Sequence, residues 1–331
     1  MIPTGNDLLN AYAVTRRATQ RTPLLDSGAL ARATGAVRVF VKAESLQHAG
    51  SFKIRGAYWR LTRLSEDERE SGVVAYSSGN FAQGLAAAGQ AQGVPVTIVM
   101  PIDAPATKRI ATESYGARVV LSDHGDRPRE EAAAELAREI AARDGLVLLH
   151  PFDDPEIVAG QAGAGLEALE QLREIGAKPD IVVCPVGGGG LIGGVALAFR
   201  NDDPDVRIFA VEPEGYDCMG TSLTAGETRR VTSGRRTICD ALQATQPGAA
   251  PFEAARAAGV TGIAIGDAAV VQALRFAFEK LKLVLEPSGA IALAALLDGR
   301  VDAVGREVVV YVTGGNVAPE TFMGFLVGDR A

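Results

Sequence analysis

The chain has 331 residues and a formal net charge of −7, because 40 acidic residues outnumber 33 lysines and arginines. This balance excludes the broad basic surface on which nucleic-acid binding depends, and the densest basic segment, "RRVTSGRR" (229–236), is too short to provide one. No apolar run reaches the length of a membrane span and no signal-peptide core is present, so we expect a cytoplasmic protein with neither a nucleic acid nor a membrane as partner.

Short β-branched segments alternate with helical patterns along the chain. The predicted strands are 37–42, 72–76, 94–100, 117–121, 146–150, 180–185, 206–212 and 307–313, and the clearest predicted helices are 80–93, 127–145 and 267–282. Because these strands are almost continuously apolar and lead into helices through short turns, they indicate a doubly wound α/β fold with mostly parallel sheets. Boundaries near residues 71 and 149 predict a small α/β domain (71–148) inserted into a large domain (1–70 and 149–331).

The segment "HAGSFKIRGAYW" (48–59) raises the first question about chemistry. It places Lys53 between Phe52 and Ile54 in a small, otherwise apolar turn. The structural interpretation is that the lysine stem lies on apolar surface while its ammonium reaches water. The functional interpretation is a desolvated amine that acts as a nucleophile in covalent catalysis.

Two predicted strands end in turns of the kind that bind ligands, which in parallel sheets lie beyond the carboxyl ends of the strands. Strand 72–76 leads into the turn Ser77, Ser78, Gly79 and Asn80, and strand 180–185 leads into Gly187, Gly188, Gly189 and Gly190. Four glycine amides before a helix can converge on an anion, and the helix dipole adds partial positive charge there. Close strand-to-helix packing is the structural alternative for these glycines.

The identity of the anion has two candidates. The segment "GGGLIG" (188–193) satisfies G-x-G-x-x-G, and Glu212 ends the next predicted strand, where a ribose-binding acid belongs. A nicotinamide-dependent (NAD) dehydrogenase is therefore an alternative from another class of enzyme. It leaves Lys53 and the serine–asparagine turn without a role, whereas a single phosphate combined with a lysine–aldehyde adduct explains all three features.

Nine segments in this order resemble the fold-type II pyridoxal-phosphate enzymes, specifically the serine/threonine dehydratase and serine racemase family. They are "RTPLLDS" (21–27), "VKAESLQHAGSFKIRGA" (41–57), "SSGNFAQGLA" (77–86), "VMPIDAPATKRIATESYGARVVL" (99–121), "HPFDDPEIVAGQAGAGLE" (150–167), "VCPVGGGGLIGGVALA" (183–198), "VEPEG" (211–215), "LEPSGAIALAAL" (285–296) and "VTGGNV" (312–317). The resemblance implies a two-lobed fold like that of the tryptophan synthase β-subunit, with pyridoxal 5′-phosphate in the cleft between the lobes and an amino acid as substrate.

The resemblance also implies a role for each residue of the site. Lys53 forms the Schiff base with the cofactor aldehyde, Phe52 packs beside the ring, and Asn80 donates to the phenolic oxygen. Gly187, Gly188, Gly189 and Gly190 hold the phosphate, and Thr313 offers its hydroxyl to the pyridine nitrogen. Ser77, Ser78, Gly79 and Asn80 receive the substrate carboxylate, with Phe81 beside them.

The predicted reaction is elimination of water from a β-hydroxy amino acid such as L-threonine or L-serine, which yields a 2-oxo acid and ammonia. The freed amine of Lys53 acts as the base for the Cα proton. In the racemases that this chain resembles, a serine at position 78 acts as acid or base on the opposite cofactor face. Serine racemase activity, or a lyase for phenylserine or hydroxyaspartate, is therefore the alternative within the family.

Two departures from the family pattern bear on substrate and metal. Phe81 stands where most relatives carry histidine, which favours a larger or more apolar β-substituent, such as an aryl group, over a second carboxylate. Glu212 matches the first acid of the racemases' divalent-cation site, but Cys218 replaces the second acid, with Asp217 as a substitute. Because Mg²⁺ and Ca²⁺ prefer oxygen ligands, the sequence assigns no metal set, and Glu212 is its one candidate ligand.

Two expectations concern the assembly and the compartment. Three cysteines without a CxxC motif fit a reducing compartment, in agreement with the cytoplasmic location. Many α/β enzymes of this size pair, so we expect a homodimer.

Overall fold

A computed structural model of the chain describes residues 2–125, 127, 129–232 and 236–328. Part of the basic segment 229–236, residues 233–235, lies outside the described residues. The strands are β1 Leu24–Asp26, β2 Arg38–Ala43, β3 Val73–Tyr76, β4 Val96–Pro101, β5 Arg118–Ser122, β6 Val147–Leu148, β7 Ile181–Pro185, β8 Arg207–Pro213, β9 Thr261–Ile265 and β10 Glu307–Val312. The helices are α1 Gly5–Thr15, α2 Gly28–Thr34, α3 Lys53–Thr62, α4 Glu66–Ser71, α5 Asn80–Gln92, α6 Ala106–Glu113, α7 Arg129–Asp144, α8 Pro155–Glu174, α9 Gly190–Asp202, α10 Cys218–Ala225, α11 Ala249–Ala257, α12 Asp267–Phe276, α13 Pro287–Leu297 and α14 Pro319–Val327.

The larger sheet has six strands in the order β1-β2-β10-β7-β8-β9. All neighbouring pairs are parallel except β1–β2, which is antiparallel. Alternate residues of β7 face opposite cores: Ile181 and Val183 pack with α12 and α13, whereas Val182 and Cys184 pack with α8 and α9. Burial on both faces explains why this strand is apolar at every position, and it confirms the predicted doubly wound α/β fold.

The smaller sheet has four parallel strands in the order β5-β4-β3-β6, all drawn from residues 73–148. Val73 and Ala75 face a core shared with α3 and α5, and Val74 faces the other side, where α7 packs. The four described strands between residues 71 and 149 therefore form a sheet of their own, separate from the six-stranded sheet. The division of the chain into two domains at those boundaries stays a prediction.

Sequence patterns missed or misjudged some elements. The short strand β1 and the glycine-containing strand β9, "TGIAI", lack the apolar run that marked the other strands. The helix predicted over 267–282 ends at Phe276, and a π-helical turn, Ala277–Leu281, follows it. Lys282 then adopts a left-handed φ of 59°, which stops the helix. Among the described residues, every helix is too short or too polar to cross a lipid bilayer.

A cluster of four buried charges, the Arg55 network, anchors α3 at the centre of the molecule. The Arg55 guanidinium is fully buried and donates to Glu44 Oε2 at 2.8 Å and to Glu167 Oε1 at 2.8 Å. Lys42 Nζ also donates to Glu167 Oε1, at 2.7 Å. Two positive and two negative groups thus compensate one another, and they join α3 to β2, to the turn at 44–46 and to α8.

We expect Arg55→Leu to lower the free energy of unfolding by about 3–5 kcal/mol, because it leaves buried carboxylates without their partner. Arg21→Leu is the matched control: Arg21 pairs with Glu174 at 2.5 Å, but both side chains are about half exposed. Exposed pairs are worth about 0–1 kcal/mol, so the control should change little in urea denaturation. Similar losses for the two variants would contradict a special contribution of the buried cluster.

Candidate active site

Lys53 is the first residue of α3, and its amine lies against apolar groups. Lys53 Nζ is 5.1 Å from the centroid of the Phe52 ring, 5.8 Å from that of Phe81 and 3.5 Å from the carbonyl oxygen of Pro151. Burial lowers the pKa of Lys53 to about 8, against the opposing charge of Glu286. A larger fraction of this amine is therefore unprotonated near neutral pH than for an ordinary lysine. This favours the functional interpretation of Lys53, a nucleophile, over the structural interpretation, a surface lysine.

Asn80, the first residue of α5, has its carboxamide held from both ends. Its Nδ2 donates to Glu286 Oε1 at 2.5 Å, and its Oδ1 accepts from Asn316 Nδ2 at 2.8 Å. Asn316 Nδ2 also donates to the Ala49 carbonyl at 2.9 Å, so both of its N–H groups are used. These bonds fix which end of the Asn80 carboxamide is the donor, and the Glu286 bond uses only one of its two N–H groups.

Glu286 and Asn316 were missed as site residues, although both lie in motifs that carried the resemblance. Glu286 is only 4% exposed, and burial together with the charge of Asp240 raises its pKa to about 7. Asp240 in turn accepts from Lys108 Nζ at 2.6 Å, which links α6 beside the smaller sheet to the turn at 240–242. Glu286 and Asn316, which are far from Asn80 in sequence, thus converge on its carboxamide.

The glycine turn between β7 and α9 is packed so closely that side chains are excluded. A Cβ at Gly188 would lie 2.2 Å from the ring of Phe152, and one at Gly189 would lie 2.5 Å from Met219 Cε. Gly189 caps α9 with a φ of +100°, which favours glycine. The packing interpretation of these glycines therefore holds. They also leave bare backbone at a helix N-terminus, and the binding of a phosphate there stays a prediction.

Thr313 and Ser51 flank Lys53 from the larger sheet. Thr313 is 5% exposed, directly follows β10, and its carbonyl accepts from the Phe52 amide at 3.3 Å. Ser51 is fully buried, and its hydroxyl has no hydrogen-bond partner among the described residues. A buried hydroxyl without a partner is costly, so this wall of the site fits a bound polar group.

The turn predicted to receive the substrate carboxylate is half-buried beside Asn80. The Gly79 amide donates to Ser77 Oγ at 3.2 Å, and Ser77, Ser78 and Gly79 precede α5. Phe81, in contrast, is only 2% exposed and packs into the core under the smaller sheet. The expectation that Phe81 favours an aryl side chain therefore has no support in its packing, and its ring instead contributes to the apolar surroundings of Lys53.

Tyr76 and His150 form a pair that sequence reasoning did not single out. Tyr76 Oη lies 3.1 Å from His150 Nε2, and the two rings meet edge to face. Tyr76 immediately precedes the serine turn, and His150 immediately precedes Pro151, whose carbonyl contacts Lys53. The only sequence signal was their place at the ends of two predicted strands.

The Glu212 carboxylate, considered above as a ligand of a divalent cation, already has two backbone partners. It is fully buried, its Oε1 accepts from the Met219 amide at 2.7 Å, and its Oε2 accepts from the Gly220 amide at 2.8 Å. One N–H donor thus contacts each oxygen, and no cluster of three His, Cys, Asp or Glu side chains that could hold a metal ion occurs among the described residues.

Comparison with known proteins decides the family. Residues 15–314 match the model of the pyridoxal-phosphate-dependent enzymes. The chain belongs to this family. An L-threonine ammonia-lyase of Thermotoga maritima is 39% identical over 314 residues, which cover 95% of this enzyme and 76% of the relative. An L-threo-3-hydroxyaspartate ammonia-lyase of Pseudomonas sp. is 38% identical over 98% of both chains.

A solved structure gives the same result for the fold. The maize serine racemase superposes with a TM-score of 0.88 at 34% identity, covering 98% of this enzyme and 97% of the racemase. The predicted family and fold are therefore confirmed, and pyridoxal phosphate is favoured over the nicotinamide alternative. The desolvated lysine, the packed glycine turn and the buried Ser51 hydroxyl fit that cofactor, whereas the role of each residue stays a prediction.

We expect Glu286→Leu to weaken binding of pyridoxal phosphate to the cofactor-free protein by about tenfold or more, because Asn80 loses the acceptor that orients it. A hydrogen bond to a charged group is worth about 1.5–3 kcal/mol. Glu286→Gln, which keeps an acceptor, should weaken binding less. Absorbance titration measures the affinity, and circular dichroism verifies the fold. Equal affinities for wild type and the leucine variant would exclude this orienting role.

Proposed function

We propose that the enzyme is an ammonia-lyase that removes water from a β-hydroxy amino acid of the L-threonine or L-serine type, giving a 2-oxo acid and ammonia. The observation that carries the proposal is Lys53, an amine of lowered pKa beside Asn80 and the glycine turn. The two ammonia-lyases named above, similar over nearly the whole chain, support elimination as the reaction.

Bound pyridoxal phosphate supplies the electron sink for negative charge that develops at the substrate Cα. The glycine turn, Gly187 to Gly190, holds the phosphate with its amides and the α9 N-terminus. Asn80 would donate to the phenolic oxygen, Phe52 would pack beside the ring, and the Thr313 hydroxyl would meet the pyridine nitrogen. A hydroxyl at that position would not hold the nitrogen protonated as a carboxylate would.

Lys53 removes the Cα proton, and the amides and hydroxyls at Ser77, Ser78 and Gly79 bind the substrate carboxylate. Burial beside Phe52 and Phe81 keeps the Lys53 amine available as a base near neutral pH. Ser78 acts on the opposite face of the substrate if the enzyme also racemises amino acids. Cytoplasmic location and a homodimer remain predictions from the sequence.

A second candidate substrate is L-threo-3-hydroxyaspartate. The Pseudomonas enzyme named for it matches this chain over 98% of both sequences. The burial of Phe81 removes the earlier reason to disfavour a second carboxylate, since that ring is packed into the core.

The test is a panel of L-threonine, L-serine, D-serine, L-threo-3-hydroxyaspartate and phenylserine, assayed for 2-oxo acid and by chiral chromatography. We expect oxo-acid release from an L-hydroxyamino acid. Lys53→Ala should reduce it at least about 10²-fold, the scale of general-base catalysis, and remove the visible absorption of the bound cofactor. Lys280→Ala, at an exposed lysine, is the control. Racemisation without elimination would overturn the proposal.

We also propose that the enzyme needs no divalent cation, because backbone amides already donate to both oxygens of Glu212 and no cluster of three potential metal-binding side chains lies among the described residues. A ligand that binds the folded state raises the melting temperature Tm. We therefore expect the same Tm in EDTA, Mg²⁺ and Ca²⁺ by differential scanning calorimetry, and the same activity after chelation. A rise in Tm with Mg²⁺ or Ca²⁺ that Glu212→Gln removes would contradict this.

A further inference from the structure

Two segments of the site run antiparallel side by side: residues 49–52, which precede Lys53, and residues 313–316, which follow β10. Three backbone contacts join them in register: Phe52 to Thr313 at 3.3 Å, Ser51 to Gly314, and Gly315 to Gly50 at 3.0 Å. At the next step a side chain takes the place of the backbone donor, because Asn316 Nδ2 donates to the Ala49 carbonyl at 2.9 Å. Asn316 thus completes the pairing at the end that is farthest from β10.

The turn that Asn316 closes has a left-handed backbone. Ala49 has a φ of 58° and a ψ of 21°, and Gly50 follows with a φ of 69°. Glycine adopts this conformation freely, whereas alanine is disfavoured there because its Cβ lies too close to the following carbonyl oxygen. A left-handed alanine persists only where its surroundings hold it. The Asn316 bond to the Ala49 carbonyl is such a contact, and this turn leads the chain to Lys53.

The same Asn316 side chain also contacts Asn80. Its second N–H donates to Asn80 Oδ1, with 2.8 Å between the nitrogen and the oxygen. Because the oxygen of the Asn80 carboxamide accepts on this side, its NH₂ group must point to the other. The helix that begins at Asn80 packs directly on Lys53, since a Cβ at Gly84 would lie 3.0 Å from Lys53 Cβ. One side chain therefore holds both the turn before Lys53 and the carboxamide of Asn80.

We propose that Asn316 is a positioning residue that couples Lys53 to Asn80. This inference rests on the proposed function, through the cofactor roles that it gives these two residues. In pyridoxal phosphate the aldehyde and the phenolic oxygen are substituents of adjacent ring carbons. The lysine that reacts with the first and the asparagine that donates to the second must therefore keep a fixed separation. Asn316 sets that separation, because one N–H holds the turn and the other orients the carboxamide.

The test measures the binding of two ligands to the full-length protein freed of cofactor, by isothermal titration calorimetry. Pyridoxal phosphate has the phenolic oxygen, whereas 3-deoxypyridoxal 5′-phosphate lacks it and cannot accept from Asn80. We expect Asn316→Ala to weaken binding of the deoxy compound by about fivefold, because the turn before Lys53 loses its donor. Binding of pyridoxal phosphate should fall by about fivefold more, because Asn80 also loses the donor that orients it.

Ala49→Gly separates the two contacts of Asn316. Glycine adopts the left-handed turn without a clamp, so adding Ala49→Gly to Asn316→Ala should restore binding of the deoxy compound and keep the selective loss for pyridoxal phosphate. Asn316→Asp keeps the size of the side chain without its N–H groups, and it should show the selective loss even where the alanine variant does not fold. Gln47→Ala is the matched control: Gln47 is a buried carboxamide of the same loop that bonds to Gln20, and its loss should leave the ratio of the two affinities unchanged.

The two ligands distinguish the positioning role from general damage, which weakens the binding of both equally. Equal losses for the two ligands in the Asn316 variants overturn the coupling, and so does a double variant that still binds the deoxy compound weakly. A wild-type protein that binds neither ligand overturns the proposed function and the positioning role together. A wild-type protein that binds pyridoxal phosphate but releases no oxo acid from the panel overturns the proposed function alone, since the binding assay does not depend on turnover.

Discussion

The active site depends on the buried ion cluster two residues beyond its lysine. Arg55 is fully enclosed, and an uncompensated charge there would be costly, so α3 must lie where Glu44 and Glu167 can reach the guanidinium. The glycines add to this constraint, because a Cβ at Gly160 of α8 would lie 2.7 Å from the Cα of Gly56. Charge pairing and close helix contact together fix the start of α3, and with it the position of Lys53.

Two lysines of this chain, Lys42 and Lys53, show how surroundings determine chemistry. Lys42 donates to Glu167 Oε1 at 2.7 Å and to the Thr22 carbonyl at 2.9 Å, so its charge is held in a structural role. Lys53 has aromatic rings and a distant carbonyl around it, and burial there lowers its pKa to about 8. Burial lowers the pKa of Lys42 as well, but there the charges of Glu44 and Glu167 oppose the effect and hydrogen bonds hold the amine, whereas the Lys53 amine lies against aromatic rings.

How much of the molecule could be predicted from sequence depends on whether the signal was local. β7 and β10 were predicted because burial on both faces makes every residue apolar, and Lys53 and the glycine turn were found because each sits in a short motif. The Glu286–Asn80 bond joins residues 206 positions apart, and the Asn316–Asn80 bond joins residues 236 positions apart. The spacing of apolar residues along the chain carries no information about contacts over such distances in sequence. The hydrogen bonds of Glu212 were equally hidden from the sequence, because their donors are the Met219 and Gly220 amides in the first turn of α10.

Three consecutive residues, His150, Pro151 and Phe152, each touch a different part of the site: the Tyr76 hydroxyl, the Lys53 amine and the glycine turn. The proline ring restricts the backbone between the two aromatic residues. A change of size at either flanking position therefore displaces the other two contacts as well. Replacements along this segment are therefore coupled to one another, and an insertion in the tripeptide would displace all three contacts at once.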